Sequence, residues 1–363
     1  MKPIKELLSK SMLNLEVYVP GEQPQDIEQW IKLNTNENAY EPPEEFIQEY
    51  LTTLPGKMRL YPDPQCFQLR RMIAEYYVSK KYKAPADPNT IVCGVGADEV
   101  LDILFKAFVN EHDEVVTFAP SYGMYEVLAK TYRAKKILIP MHANFTLPRA
   151  ETIPTEGKLI IICSPNNPTG LSVSNEYISQ ICEKFQGLVV VDEAYADFSR
   201  TSAMSLLNRY ANLIVLRTFS KSFSLAGIRL GFSQSSTEIA NYMNSIRLPI
   251  NIPYPTQLAG ILAIKHSEAF ERQNSLIIKE REKVTRELRN MGLEIIESDS
   301  NFLLINFTTE SRAKKALEKL KERKILLRHY KKPGSEAYLR MTIGTPEQNN
   351  TVLRTMPKII EEL

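Results

Sequence analysis

The stretch "GLVVVDEAY", residues 187–195, runs four apolar residues straight into a pair of acids. A strand with one wet face alternates apolar and polar positions, so Leu188 to Val191 have no solvent side and belong in a sheet covered on both faces by helices. The same character recurs in "TIVCGVG" (90–96), "DEVVTFAP" (113–120), "AKKILIP" (134–140), "KLIIICSP" (158–165) and "NLIVLRTFS" (212–220). Helical patterns separate them: "ADEVLDILFKAFVN" (97–110), "GMYEVLAKTYR" (123–133) and "NEYISQICEKF" (175–185). Short apolar strands alternating with helices define an α/β domain with a mostly parallel sheet.

Beyond about residue 245 the pattern changes. In "SEAFERQNSLIIKEREKVTRELRNMG", Phe270, Ile277, Val284, Leu288 and Met291 form one helical stripe, with Ser267 as the expected N-cap and Gly292 as the stop. Strands at "NFLLINF", "ILLR" and "AYLRMTIG" flank the helix "RAKKALEKLKERK", which makes a smaller α+β domain. The proline-rich joint "RLPINIPYP", residues 247–255, marks the boundary, because repeated prolines continue neither a helix nor a central strand. The expected division is a large domain over 40–247 and a small domain over 248–363. The arm 1–39, too short to fold alone, is expected to pack on the small domain and across the cleft.

The 363 residues carry 45 basic and 43 acidic side chains, so no global field draws nucleic acid or an anionic membrane, and a small-molecule partner is expected. No apolar run approaches the ~20 residues of a membrane span, and the N-terminus lacks a secretory signal, so a cytoplasmic protein is expected. Cys66, Cys93, Cys163 and Cys182 stand singly and read as reduced, structural thiols. His112, His142, His266 and His329 are dispersed without metal-ligand spacing, and no metal site is expected.

Chemistry concentrates where strands end. In "LRTFSKSFSLAGIRLGF", residues 216–232, Lys221 lies among Thr218, Ser220 and Ser222, with Arg229 eight residues on. A buried lysine near positive charge has a lowered pKa and a free amine, suited to a Schiff base with a phosphorylated aldehyde, whose phosphate Ser220 and Arg229 can bind. Asp192 ends its strand where open α/β sheets collect ligands, and a buried carboxylate there calls for a cation such as a protonated pyridine nitrogen. Tyr195 follows three residues later, in reach of a phenolic oxygen. In "CSPNNPTG", the Asn167-Pro168 turn can aim an amide inward as a donor. In "GVGADEVLDIL", Ala97 and Asp98 open a helix whose free N–H groups favour a phosphate, while Glu99 in place of a third glycine argues against a dinucleotide fingerprint. "PSYGMY" offers Tyr122 as an aromatic plate for a flat ring.

These motifs in this order resemble the fold-type I aminotransferases that use pyridoxal 5'-phosphate. The resemblance runs through "YVPGEQP", "LNTNENAY", "RLYPDP", "GADE", "SYGMY", "CSPNNPTG", "DEAY", "FSKSFSLAGIRLGF" and "YLRMTIGT", and is nearest to the branch acting on histidinol phosphate. It implies a seven-stranded sheet, Lys221 as the Schiff-base lysine, Asp192 as partner of the pyridine nitrogen, and Asn167 and Tyr195 as ligands of the phenolic oxygen. Tyr122 would stack on the ring, and Ala97, Asp98, Thr218, Ser220 and Arg229 would hold the phosphate. Tyr61 is similar to the family tyrosine that reaches the neighbouring subunit's site, which implies a homodimer. Arg340 and Arg328 match arginines directed at the substrate's anionic groups, and Tyr18 and Asn36 match the arm that closes over it. The expected reaction moves the amino group of L-histidinol phosphate to 2-oxoglutarate, in histidine biosynthesis. An aromatic or broad-specificity amino-acid aminotransferase and a threonine-phosphate decarboxylase stay open. A transcriptional regulator would call for a helix-turn-helix extension that the chain does not show. Ala39 and Glu41 depart from the proline and glycine usual in the family, which bears on the substrate loop.

Overall fold

The computed structural model describes residues 2–12, 18–84 and 86–363. The rest of the arm, Met1 and residues 13–17, lies outside the described residues.

A seven-stranded sheet runs in the order Ile91–Val95, Leu230–Gln234, Leu213–Thr218, Leu188–Asp192, Leu159–Cys163, Glu114–Ala119, Lys135–Pro140. All neighbours are parallel except around Leu230–Gln234, which pairs antiparallel on both sides. Both faces of the inner strands are covered, as their unbroken apolar runs require, while the edge strand Lys135–Pro140 has no buried residue despite its apolar run. Val189 and Val191 join one core with Ile73, Tyr77, Ile178 and Leu262, while Val190 joins another with Leu104, Phe105 and Leu128. The reversed strand escaped the periodicity because "LGFSQ" buries Ser233 and Gln234 completely, so its polar letters do not mark a wet face. Gly231 permits its close approach to the next helix, since a Cβ there would lie 2.4 Å from the Ala97 amide nitrogen.

The second, antiparallel sheet has the order Arg328–His329, Tyr338–Thr342, Phe302–Asn306, Glu294–Ile296. Helices Ser267–Asn290, Glu310–Glu322 and Pro346–Glu361 supply its core. The last opens on a capping box between Thr345 and Gln348. "ILLR" is two short pairings, not one strand: Ile325–Leu326 lies parallel to Ile31–Lys32 of the arm, and only Arg328–His329 joins the four-stranded sheet. The arm is thereby tied to this sheet, and the Thr342 N–H also donates to the Leu33 carbonyl.

Three local expectations change. Ser267 is the first helical residue and not the cap, which is His266 without a side-chain bond. Gly292 does stop that helix, at φ +85°. After the proline-rich segment the chain first forms a helix, Tyr254–Lys265, whose Leu258, Leu262 and Ile264 pack into the core of the large sheet. The stripe of the next helix is split as well: Phe270 reaches that same core, while Ile277, Val284 and Leu288 reach the core of the small sheet. Among the described residues, no helix is long and apolar enough to cross a membrane.

Candidate active site

Cys163, Asp192 and Thr218 end three adjacent parallel strands, and all three line a cavity of about 270 Å³ at the carboxyl edge of the sheet. Lys221, Tyr195, Asn167, Tyr122, Ala97, Asp98, Ser220 and Arg229 line it too. Tyr18, Asn36, Arg328 and Arg340 close it from the arm and the small sheet. Tyr61 does not: it is 87 % exposed and outside its own chain's cavity.

The Lys221 amine donates to the Thr35 carbonyl at 3.2 Å. Burial, reinforced by the charge of Arg340, lowers its pKa to about 8, so near pH 8 about half of it is neutral. Asp192 is 4 % exposed, accepts the Tyr125 hydroxyl at 2.6 Å and the Ala194 N–H at 3.1 Å, and has no cation among these partners. Burial raises its pKa to about 6, against the opposing effect of the Tyr125 hydrogen bond. The Asn167 Oδ1 accepts from Arg340 at 2.7 Å and Tyr330 at 3.2 Å, which leaves its NH₂ as the donor. The Tyr195 hydroxyl accepts from Asn36 Nδ2 at 3.0 Å, and burial pushes its phenol well up. Asn36 is held in the left-handed region, φ +55°, by Thr342, so its amide orients Tyr195 as well as lining the cavity.

At the other end, Thr218, Ser220 and Arg229 meet the start of helix Gly96–Phe108. Gly96 has φ +76°, and a Cβ on it would come within 2.5 Å of the Arg229 guanidinium. Arg229 lies 3.5 Å from the Asp98 carboxylate, which also accepts the Tyr122 hydroxyl at 2.9 Å. An acceptor-only carboxylate cannot hold a phosphate, so what Asp98 can offer an anion is its backbone N–H. Of the three hydroxyls around Lys221, Ser222 turns away from the cavity and bonds Asp197. Glu99 accepts from Asn251 at 2.9 Å, a structural role in keeping with the absent dinucleotide fingerprint.

Arg340 is 5 % exposed and grips Asn167, Tyr330 and the Asn34 carbonyl, yet its buried Nε has no partner. Arg328 is held by the Val19 and Pro20 carbonyls at 2.7 and 2.9 Å. Sequence reasoning passed over Tyr125, Tyr330, Asn34 and Glu37, all in contact with these groups or lining the cavity. Tyr125 stood in the quoted "PSYGMY"; Tyr330 was hidden in a basic run that looks like solvated surface. Lys332 of that run is itself engaged, with Glu126 at 2.7 Å and the Ser121 carbonyl at 3.2 Å.

A model of the class I and II aminotransferases matches residues 28–356. The chain belongs to that family. It is 36 % identical over 362 residues to histidinol-phosphate aminotransferase of Rippkaea orientalis, covering 99 % of each, and 38 % identical over 354 residues to that of Clostridium botulinum, covering 96 % and 97 %. Its fold is similar to histidinol-phosphate aminotransferase from Sinorhizobium meliloti in complex with pyridoxal-5'-phosphate, with TM-score 0.85, 19 % identity and 98 % of both chains covered.

The cofactor of the family, pyridoxal 5'-phosphate, fits the residues present. A buried carboxylate without a cation suits a pyridinium, a depressed lysine amine suits an aldehyde, and a guanidinium with two hydroxyls at a helix N-terminus suits a phosphate.

Proposed function

We propose that this chain transfers the amino group of L-histidinol phosphate to 2-oxoglutarate, yielding imidazole acetol phosphate and glutamate, as a cytoplasmic step of histidine biosynthesis. The observation that carries the substrate assignment is the pair of guanidiniums over one ring: Arg328 and Arg340 stand 5.7 and 5.4 Å from the centre of Tyr330, both lining the cavity that contains Lys221. Two planar forks at one site suit a phosphate ester and, in the second half of the cycle, a dicarboxylate. The curated relatives that bear the histidinol-phosphate name support the same reading.

Bound pyridoxal 5'-phosphate supplies the electron sink. With the cofactor bound, the Lys221 amine would take the proton from the substrate's α-carbon and return it two atoms further along, beyond the substrate's nitrogen. Asp192 would keep its negative charge against the ring nitrogen, and Asn167 with Tyr195 would donate to the phenolic oxygen. Tyr122 would pack on the ring, and Thr218, Ser220, Arg229 and the N–H groups of Ala97 and Asp98 would bind the phosphate. Tyr18 and Asn36 bring the arm over the substrate, which excludes water from the reacting atoms. The exposed Tyr61 reaches the site of a second copy, so the working unit is a homodimer. The large domain spans 40–247 and takes in helix Tyr254–Lys265 beyond the expected boundary, with the arm and the rest of 248–363 forming the remainder.

One assay tests the substrate: cofactor absorbance is followed while histidinol phosphate, phenylalanine, tyrosine and threonine phosphate are added in turn. Rapid conversion with histidinol phosphate is expected. Conversion only by the aromatic amino acids, or carbon dioxide release from threonine phosphate, overturns the assignment.

A further inference from the structure

Three neighbouring pairs of residues divide between the cavity and a buried ionic cluster behind it. Asp192 lines the cavity, while Glu193 turns away and accepts from Ser202 at 2.7 Å. Thr218 lines the cavity, while Arg217, 2 % exposed, lies 3.4 Å from Glu193 and 3.7 Å from Asp197. Lys221 lines the cavity, while Ser222, 3 % exposed, donates to Asp197 Oδ2 at 2.5 Å. Asp197 also accepts from the Tyr77 and Tyr82 hydroxyls at 2.6 and 2.8 Å and from the Lys81 amine at 2.7 Å. Burial opposes its ionisation, but Lys81 and Arg217 hold the carboxyl well below the usual carboxylate range.

Lys221 carries its amine on a flexible four-carbon stem, so the position of that amine depends on how firmly the backbone beneath it is fixed. Two side chains fix it. Asn38 Nδ2 donates to the Lys221 carbonyl at 2.8 Å from the arm, and Asp197 holds the next residue through its hydroxyl. We propose that Asp197 is a positioning residue for amino-group transfer, acting through Ser222 to fix the backbone that carries Lys221. The carboxylate ties this loop to helical segment 73–82, through Tyr77, Lys81 and Tyr82, and to the Leu213–Thr218 strand, through Arg217. A misplacement of the amine of about 1 Å is enough to cost on the order of 10²-fold in rate.

The test separates positioning from general stability. Asp197→Asn removes the nearest anion from Lys81 and one of the two carboxylates beside Arg217 and can prevent folding, so Ser222→Ala, which leaves the anion and its cations in place, is the principal variant. Tyr82→Phe is the control: it deletes a comparable hydrogen bond to the same carboxylate from the helix side. For Ser222→Ala, kcat is expected to fall about tenfold with KM little changed. Amide hydrogen exchange of residues 219–225 in the full-length holoenzyme should accelerate while the seven-stranded sheet keeps its protection. Tyr82→Phe should lower the melting temperature yet keep kcat. Unchanged exchange at 219–225 in Ser222→Ala, an unchanged kcat, or an equal loss of kcat in Tyr82→Phe overturns the proposal. The exchange measurement needs no substrate, so its failure is distinct from a failure of the histidinol phosphate assignment.

Discussion

The Tyr125 hydroxyl donates to Asp192 Oδ2 at 2.6 Å, and both side chains are buried. The donor reaches across from helix Met124–Thr131 and opposes the rise in pKa that burial imposes on the acid. Tyr125→Phe removes that opposition, so the carboxyl should rise above its value of about 6. In the cofactor-free chain, the titration of the Asp192 carboxyl followed by its infrared band should move toward neutrality by about one pH unit, as expected for a hydrogen bond to a charged group. A titration superimposable on wild type would show that Tyr125 does not tune Asp192.

Asp192 also makes the stability of the cofactor-free chain depend on pH. Its folded pKa of about 6 lies above the ~3.9 of an unfolded aspartate. Below about pH 4 both states are protonated and nothing is lost; between about 4 and 6 the unfolded chain ionises first, so stability falls as pH rises. Above about pH 6 the loss is complete, on the order of 3 kcal/mol. The melting-temperature advantage of Asp192→Asn over wild type should therefore grow from about pH 4.5 to 6.5 and then level off, while its transaminase activity drops. An advantage independent of pH contradicts the raised pKa.

Lys221→Ala should lower kcat by about 10² to 10⁴-fold, the range for losing a positioned acid-base group. Turnover counted over many cycles is the measurement. Sustained turnover near the wild-type rate removes the lysine from the mechanism.

Arg328 and Arg340 should separate kinetically. Arg328 rests on two backbone carbonyls, so Arg328→Ala should raise KM for histidinol phosphate by about 10 to 100-fold with kcat largely kept. Arg340 also holds Asn167 and the Asn34 carbonyl, so Arg340→Ala should reduce kcat as well. Identical effects of the two variants on both parameters would contradict this division.

Tyr61 yields a complementation test. If Tyr61 completes the site of a second copy, Lys221→Ala and Tyr61→Ala chains should each be impaired, while a mixed dimer would contain one site built from the intact lysine of one chain and the intact tyrosine of the other. Refolding the two together should restore activity that neither has alone. Absence of any gain places Tyr61 outside the neighbouring site.

The layers and the strand-end residues were legible because burial on both faces writes itself as unbroken apolar runs, and ligand sites follow from where parallel strands end. Ser233 and Gln234 broke the first rule by burying polar side chains, and the reversed strand was lost with them. Tyr125 and Tyr330 were missed because an aromatic residue near a motif looks the same whether it packs or donates. The Ser222 hydroxyl shows the complementary limit: composition places it beside Lys221, but only the backbone decides that it faces Asp197.

Helix Ser267–Asn290 is anchored at Phe270 beneath one sheet and from Ile277 onward beneath the other. It works as a continuous axle. Residues 271–276, a helical turn and a half, are the span of this rod that couples the core of the parallel sheet, which carries Lys221, to the core of the antiparallel sheet, which brings Arg328 and Arg340 to the same cavity.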